Sequence, residues 1–477
     1  MKNIIISTAN ASKTNSGKFE GFGTSLCWWA NRVGFSEKLT ADSAKLFFSK
    51  EGLGLNIMRY NIGGGDDPTH SHIERTDSEM PGWWKYDEKS GSFLFNPDTD
   101  KNQLAVLKAA YKASGEDAFV EAFSNSPPYY MTVSGCTSGS KNAVANNLKQ
   151  SQIAPFAQYL AQVCENIQTC HGIKIKSLAA MNEPFTNYWK AFSPKQEGCH
   201  VSPGKMQSQL ITATAQALKD KGLSDITVTA TDETNTKLQL RALKKLSDEA
   251  LEVVGRVSTH TYSKATPKVG EYASLKGKNL WMSETDWSST SGETDGEMGP
   301  AIWLSEKIIE DLNTLSPSAW VIWQVVAGYL SRVPDSRGRL DMPAMPDLTK
   351  GYWGCAFADI DKQEIYLTQK YYAFGQFSRY IRPGMTLLHM NSDHAIAAFD
   401  EKTGKTIIVA VNPKAKMRTR SYIFEHISLE GKKVTAVRTS GSISEGEHWA
   451  EVDSFTARGN CLCAKLMPNS ITTFIIE

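Results

Sequence analysis

Two glutamates follow directly on apolar runs. Ala179-Ala180-Met181-Asn182 leads into Glu183 and Pro184, and Leu280-Trp281-Met282-Ser283 leads into Glu284 and Thr285. A glutamate at the end of a buried run is rarely a bystander, because an ionised side chain is seldom buried without a partner. Two carboxyl groups in different protonation states can cleave a glycosidic bond. One protonates the leaving oxygen, and the other attacks the anomeric carbon or activates water. Either glutamate alone reads better as a loop cap or a local ion-pair partner. The pair is what points to chemistry.

Other chemical signals are weaker. His70-x-His72-x-Glu74 has the spacing of a metal site in a loop, but the sequence offers no third strong ligand, so no metal and no cofactor are expected. Gly63-Gly64-Gly65 lacks the Lys-Ser/Thr of a phosphate loop and reads as a tight turn. No Gly-x-Ser-x-Gly elbow is present. Twelve Trp and sixteen Tyr offer faces for stacking on sugar rings, although any one of them can equally fill a core.

Side chains of this kind need elements to hold them. Short β-rich runs alternate with helical patterns from about residue 20 to residue 382. The strands expected are Gly21–Trp28, Leu55–Gly63, Ala118–Asn125, Ser177–Asn182, Ile226–Thr231, Val257–Tyr262, Leu280–Glu284 and Ala319–Val325. Helices are expected over Ala41–Lys50, Asn102–Ala113, Ile153–Gln168, Lys205–Lys221, Leu238–Ser247, Ala301–Asn313 and Lys370–Ile381. Near-continuous apolar strands between helices indicate a parallel sheet covered on the outside. Eight of them indicate the α/β class and a (β/α)8 TIM barrel, whose catalytic groups lie at the C-terminal strand ends. Glu183 then ends strand four and Glu284 strand seven, across the barrel mouth from each other.

From Pro383 onward the helical period is lost. His394–Phe399, Thr406–Val411, Ser421–Ile427, Lys433–Thr439 and Ile471–Ile476 read as strands of a β-sandwich. Asn3–Thr8 is β-like and is expected to add a strand to it. The expected domains are residues 20–382 for the barrel and 1–19 plus 383–477 for the sandwich.

The composition narrows the partners. A net charge of +1 gives no field to attract nucleic acid or a membrane surface. No run approaches a membrane span, and MKNIIISTAN is too short in apolar residues for a signal peptide. The protein is therefore either cytoplasmic or secreted with a leader outside this numbering. Eight cysteines in 477 residues make no disulfide scaffold, and the oligomeric state is not legible.

The sequence resembles glycoside hydrolase family 30, within the clan of retaining (β/α)8 glycosidases. The two glutamate motifs carry the clan likeness. The family likeness rests on Gly21-Phe22-Gly23-Thr24-Ser25-Leu26-Cys27-Trp28-Trp29-Ala30, Met58-Arg59-Tyr60-Asn61-Ile62-Gly63-Gly64, Ser126-Pro127-Pro128-Tyr129-Tyr130-Met131 and the stretch from Tyr371 to Gly384. The resemblance implies Glu183 as acid/base and Glu284 as nucleophile. It implies that Asn182 binds the sugar 2-hydroxyl, that Arg59 keeps the nucleophile ionised, and that Tyr262, in His260-Thr261-Tyr262, donates to the same carboxylate. Tyr188 and Trp189 are expected to surround the acid/base, and Trp323 to form a stacking platform.

Many members of this family carry a Trp just before the Ser-Pro of strand three, where this chain has Asn125. A smaller polar residue there leaves room beside an axial 4-hydroxyl, as in galactose or fucose. Cys27-Trp28-Trp29-Ala30, Gly63-Gly64-Gly65-Asp66-Asp67 and Gln196-Glu197-Gly198-Cys199-His200 resemble the subgroup that cleaves β-1,6-galactan, with Asp66, Trp28 and Trp29 as candidates for the glycone subsite. The same family allows β-D-fucosidase, β-galactosidase, β-1,6-glucanase, glucosylceramidase and xylanase activity. A non-catalytic carbohydrate-binding protein on a hydrolase scaffold is the rival from another class.

Overall fold

The computed structural model describes residues 2–425 and 428–477. Eight parallel strands close into a barrel: β1 (Gly21–Ser25), β2 (Ile57–Asn61), β3 (Phe119–Phe123), β4 (Ile175–Ala179), β5 (Thr227–Glu233), β6 (Arg256–His260), β7 (Asn279–Thr285) and β8 (Ala319–Ile322). β8 pairs back onto β1, with Ala319 opposite Gly21. All eight expected strands are present, several of them shorter at the C-terminal end.

The barrel is a packed core. Ile57, Trp281, Ala319 and Val321 fill its lower interior, with Phe119 packed against them. Helices wrap the outside. Ile153–His171 buries one face on the barrel, whereas Met298–Leu315 is buried on most sides, between the barrel and the sandwich. Asn235 starts the helix Thr236–Leu243 by accepting from the amides of Lys237 and Leu238, which satisfies two donors that a helix N-terminus leaves unpaired. The helix expected over Leu238–Ser247 is shifted towards the N-terminus, and a second helix follows that was not expected. The first ends at Leu243, and Ser247 caps the second, Asp248–Val253.

The second domain is a two-sheet sandwich. One sheet orders Thr386–Leu388, Ala395–Phe399, Thr406–Asn412, Ser470–Ile476, Val434–Ser440 and Glu447–Glu451. The other orders Lys2–Ile6, Arg418–Phe424, Cys461–Leu466 and Phe455–Arg458. The N-terminal strand joins it as expected, parallel to Arg418–Phe424 with Ile4 opposite Tyr422. Ile427, the expected end of that strand, lies outside the described residues. Ile4, Ile6, Tyr422, Leu462 and Phe474 share the core between the sheets. The two domains meet where Thr473 bonds the helix Gln369–Ser378 through Gln376, which also reaches Thr439 at 2.8 Å.

Two features were not anticipated. A hairpin, Trp84–Asp87 with Ser92–Phe95, follows β2, and a three-stranded sheet of Val326–Leu330, Ala356–Asp359 and Glu364–Leu367 follows β8. Both build up the rim at the C-terminal end of the barrel.

Candidate active site

The C-terminal ends of β5 and β7 depart from regular pairing, and that aims the site. Between Met282 and Glu284 the register of β7 against β6 shifts, and β5 shifts against β6 between Thr231 and Glu233. A bulge of this kind re-aims side chains at a strand end. Ser283 and Glu284 accordingly both reach inward groups, one bonding Asp232 at 2.6 Å and the other Arg59 at 2.9 Å. Asp232 adopts a φ of 59°, and Glu183 one of 47°. Left-handed backbone costs a non-glycine residue on the order of 1–3 kcal/mol and tends to occur where function needs it. The Glu183 amide is tied to the Asp232 carbonyl at 2.9 Å, which couples the ends of β4 and β5.

The two glutamates face each other. A carboxylate oxygen of Glu183, one of Glu284 and a ring nitrogen of His260 all lie within 4.8 Å of one another. Glu284 is held from two sides: Arg59 donates at 2.9 Å and the Tyr262 hydroxyl at 2.9 Å. Glu183 accepts from the Tyr188 hydroxyl and lies 3.0 Å from His260 Nδ1. The Trp189 indole N–H donates to the Glu183 carbonyl at 3.0 Å.

His260 is fully buried between the carboxylates. Its other nitrogen lies 3.2 Å from Asp232, so each ring nitrogen faces an acceptor and only the imidazolium satisfies both. Burial opposes that charge, but Glu284 and Asp232 outweigh it and push the imidazole up to about 10. Burial also opposes ionisation of Asp232, yet Arg59 and His260 hold its carboxyl well below the usual range. Glu284 goes the other way. Burial pushes its carboxyl up to about 7, with His260 and Arg59 pulling it down.

Arg59 is not dedicated to Glu284. It also bonds Glu121 at 3.0 Å and Asp232 at 2.5 Å. Glu121 in turn meets Arg256, whose guanidinium lies 3.5 Å above the Trp281 ring. A chain of alternating charge therefore runs from the floor of the barrel to Glu284. Fully buried pairs of this kind are costly to break from one side, because the partner is left uncompensated.

A cleft of about 1490 Å³ opens above the pair, larger than the ~300–1,000 Å³ usual for a small ligand. Asn182, Glu183, Tyr188, Trp189, Tyr262, Glu284, Trp287, Trp323 and Trp353 line it. Asn182 Oδ1 is buried with no hydrogen-bond partner among the described residues. Trp287 and Trp353 make one wall, their rings 5.4 Å apart.

Several expected site residues lie elsewhere. Trp29 is a correction: it is wholly buried, donates to the Ser25 carbonyl and packs on Phe47, so it belongs to the core. Asp66 is another, because it turns to His70, His72 and the amide of Thr137. Trp28 and Asn125 lie beneath the cleft. Trp28 supports Trp323 edge-on at 5.2 Å, and Asn125 bonds Asn61 at 3.1 Å. The sequence reading missed Asp232, Glu121 and Trp353. Asp232 directly follows the expected strand Ile226–Thr231, but that strand alternates threonine with apolar residues and so did not mark it as the runs before Glu183 and Glu284 did. Trp353 lies in an irregular stretch with no period to mark it.

Comparison with known proteins adds the lineage. The family model described as O-Glycosyl hydrolase family 30 matches residues 2–269. An endo-beta-1,6-galactanase of Hypocrea rufa is 30% identical over 424 residues, spanning 84% of this chain and 79% of that protein. An exo-beta-1,6-galactobiohydrolase of Bifidobacterium longum subsp. longum is 29% identical over 418 residues, spanning 68% of this chain and 27% of that protein. The catalytic domain of a GH30 xylanase C from Talaromyces cellulolyticus superposes with a TM-score of 0.73 at 17% identity, covering all of both chains, and so speaks for the fold alone.

Proposed function

Because the chain belongs to O-glycosyl hydrolase family 30, we propose that it cleaves β-1,6-linked galactan with retention of configuration, through a covalent glycosyl-enzyme. Its substrate is a carbohydrate. The observation that carries the mechanism is the approach of the two carboxylates to within 4.8 Å. Retaining enzymes hold their pair about 5–5.5 Å apart, whereas inverting enzymes leave about 6.5–9.5 Å for a water between them. The linkage is supported by two relatives whose names specify β-1,6-galactan chemistry.

The roles are those that the family resemblance implies. Glu284 attacks C1 as Glu183 passes its proton to the glycosidic oxygen, and the C1–O bond breaks. The aglycone leaves with that proton, and the sugar remains as an ester on Glu284. Water then attacks C1, gives its proton to Glu183 and releases Glu284. Arg59, Tyr262 and His260 orient Glu284 and share its negative charge. Asn182 binds the ring hydroxyl next to C1, where its free carbonyl oxygen can accept. Trp323, standing on Trp28, is the platform, and the aromatic wall of Trp287 and Trp353 receives further sugar units.

Product analysis tests this. Incubation with β-1,6-galactan should release galacto-oligosaccharides whose fresh reducing ends are β-configured by proton NMR. Xylan and β-1,6-glucan should remain intact. Release of α-configured ends would remove the retaining mechanism, and resistance of every galactose-configured substrate would remove the substrate assignment.

A further inference from the structure

Beside the cleft, four side chains of metal-binding type converge. Asp66, His70 and His72 come from the loop after β2, and Cys136 comes from the loop after β3. One ligand atom from each lies within 4.8 Å of all the others. His70 Nδ1 is 3.3 Å from one Asp66 oxygen, and His72 Nδ1 is 3.4 Å from the other. Cys136 Sγ is 3.5 Å from His72 Nε2.

The surroundings favour ligands over a plain hydrogen-bonded loop. The backbone N–H groups of Ser138 and Phe192 both point at Cys136 Sγ, at 3.4 and 3.3 Å. Two amide donors on one sulfur are the support a thiolate needs, and outer contacts of this kind hold metal ligands in place. The Thr137 amide likewise holds Asp66 at 3.2 Å. His72 Nδ1 is buried without a hydrogen bond. Glu74, the third member of the sequence spacing, turns instead to the cleft wall. The missing ligands therefore come from Asp66 on its N-terminal side and from Cys136 on another loop.

We propose that Asp66, His70, His72 and Cys136 bind one zinc-class divalent cation. A mixed nitrogen, sulfur and oxygen set suits zinc, whereas calcium and magnesium take oxygen alone. A tetrahedral zinc shell has ligands about 3.3–3.8 Å apart, so the four atoms close by roughly 1 Å around the ion. The ion ties the loop after β2 to the loop after β3. Both histidine rings pack on Phe192, at 5.0 and 5.5 Å, and Phe192 lines the cleft. The site is thus a staple for the cleft rim, separate from Glu183 and Glu284.

The test uses the full chain, stripped with chelator and titrated with zinc chloride by calorimetry. One equivalent should bind and raise the melting temperature. Cobalt should give a thiolate-to-metal charge-transfer band that Cys136→Ser abolishes, and His70→Gln/His72→Gln should weaken zinc binding at least ~10-fold. Stoichiometry should stay at one in Glu284→Gln, which separates this site from the catalytic carboxylates. Zinc should also shield Cys136 from alkylation, read by peptide mass spectrometry, which locates the ion without any substitution. Absence of a bound equivalent in the wild type, or equal alkylation of Cys136 with and without zinc, overturns the proposal.

Discussion

At the scale of single residues, the two glutamates differ by what surrounds them. Glu284 sits among Arg59, Tyr262 and His260, whereas Glu183 has the Tyr188 hydroxyl and shares His260. If the proposed roles hold, the two substitutions separate by leaving group. Glu183→Ala should slow polysaccharide cleavage by about 10²–10⁴-fold, the scale of general acid catalysis, and should slow an activated aryl galactoside far less. Glu284→Ala should abolish both. Parallel kcat/KM measurements on the two substrates check this. The acid limb of the pH profile follows from Glu284. Burial raises its carboxyl to about 7, and the attacking form is ionised, so kcat/KM should fall as pH drops through about 7 rather than near the ordinary ~4.3. His260 pulls that carboxyl down, so His260→Gln should shift the limb to higher pH. That the glutamates, Arg59 and Tyr262 would share one end of the barrel was legible because each lies at or near a strand end. Trp29 and Asp66 misled because adjacency in sequence does not say which way a side chain turns after a strand ends.

At the scale of elements, the strand ends do the aiming. Period and apolar content located all eight barrel strands, since those signals come from burial that each strand experiences along its own length. The register shifts on β5 and β7 depend on neighbouring strands, so no local pattern announces them. The same holds for the rim sheet after β8. β5 carries a second consequence. Glu233 is buried beside Asp232, and burial pushes its carboxyl up to about 8, against bonds from Phe185 and Gln207. The folded protein therefore keeps a proton that the unfolded chain releases near ~4.3, and stability falls as pH rises between those values. Glu233→Gln should leave stability near pH 4 unchanged and raise it at pH 8. Urea midpoints at the two pH values measure the difference.

At the scale of the whole molecule, the sandwich is assembled from both ends of the numbering, with the barrel between them. Ile6 is buried in the core between its sheets. Ile6→Ala should cost about 2–5 kcal/mol, as for other large-to-small core changes, and should lower the melting temperature. The cleft chemistry should survive at temperatures where the fold persists. Thermal scans paired with activity assays at 25 °C read both. The all-β character of the C-terminal part was legible from the loss of helical period after Pro383. The pairing of Lys2–Ile6 with Arg418–Phe424 was expected from β-character near the N-terminus, but its parallel register needed the structure. That pairing also sets an order of events on the ribosome. Residues 2–6 can find their partner strand only after roughly 400 further residues have been made, at ~5–20 per second. For tens of seconds the nascent chain therefore carries an unpaired strand while the barrel between the two partners is still being made. A host that supplies holdase chaperones early in translation should therefore yield more of the folded protein than one that supplies them after release.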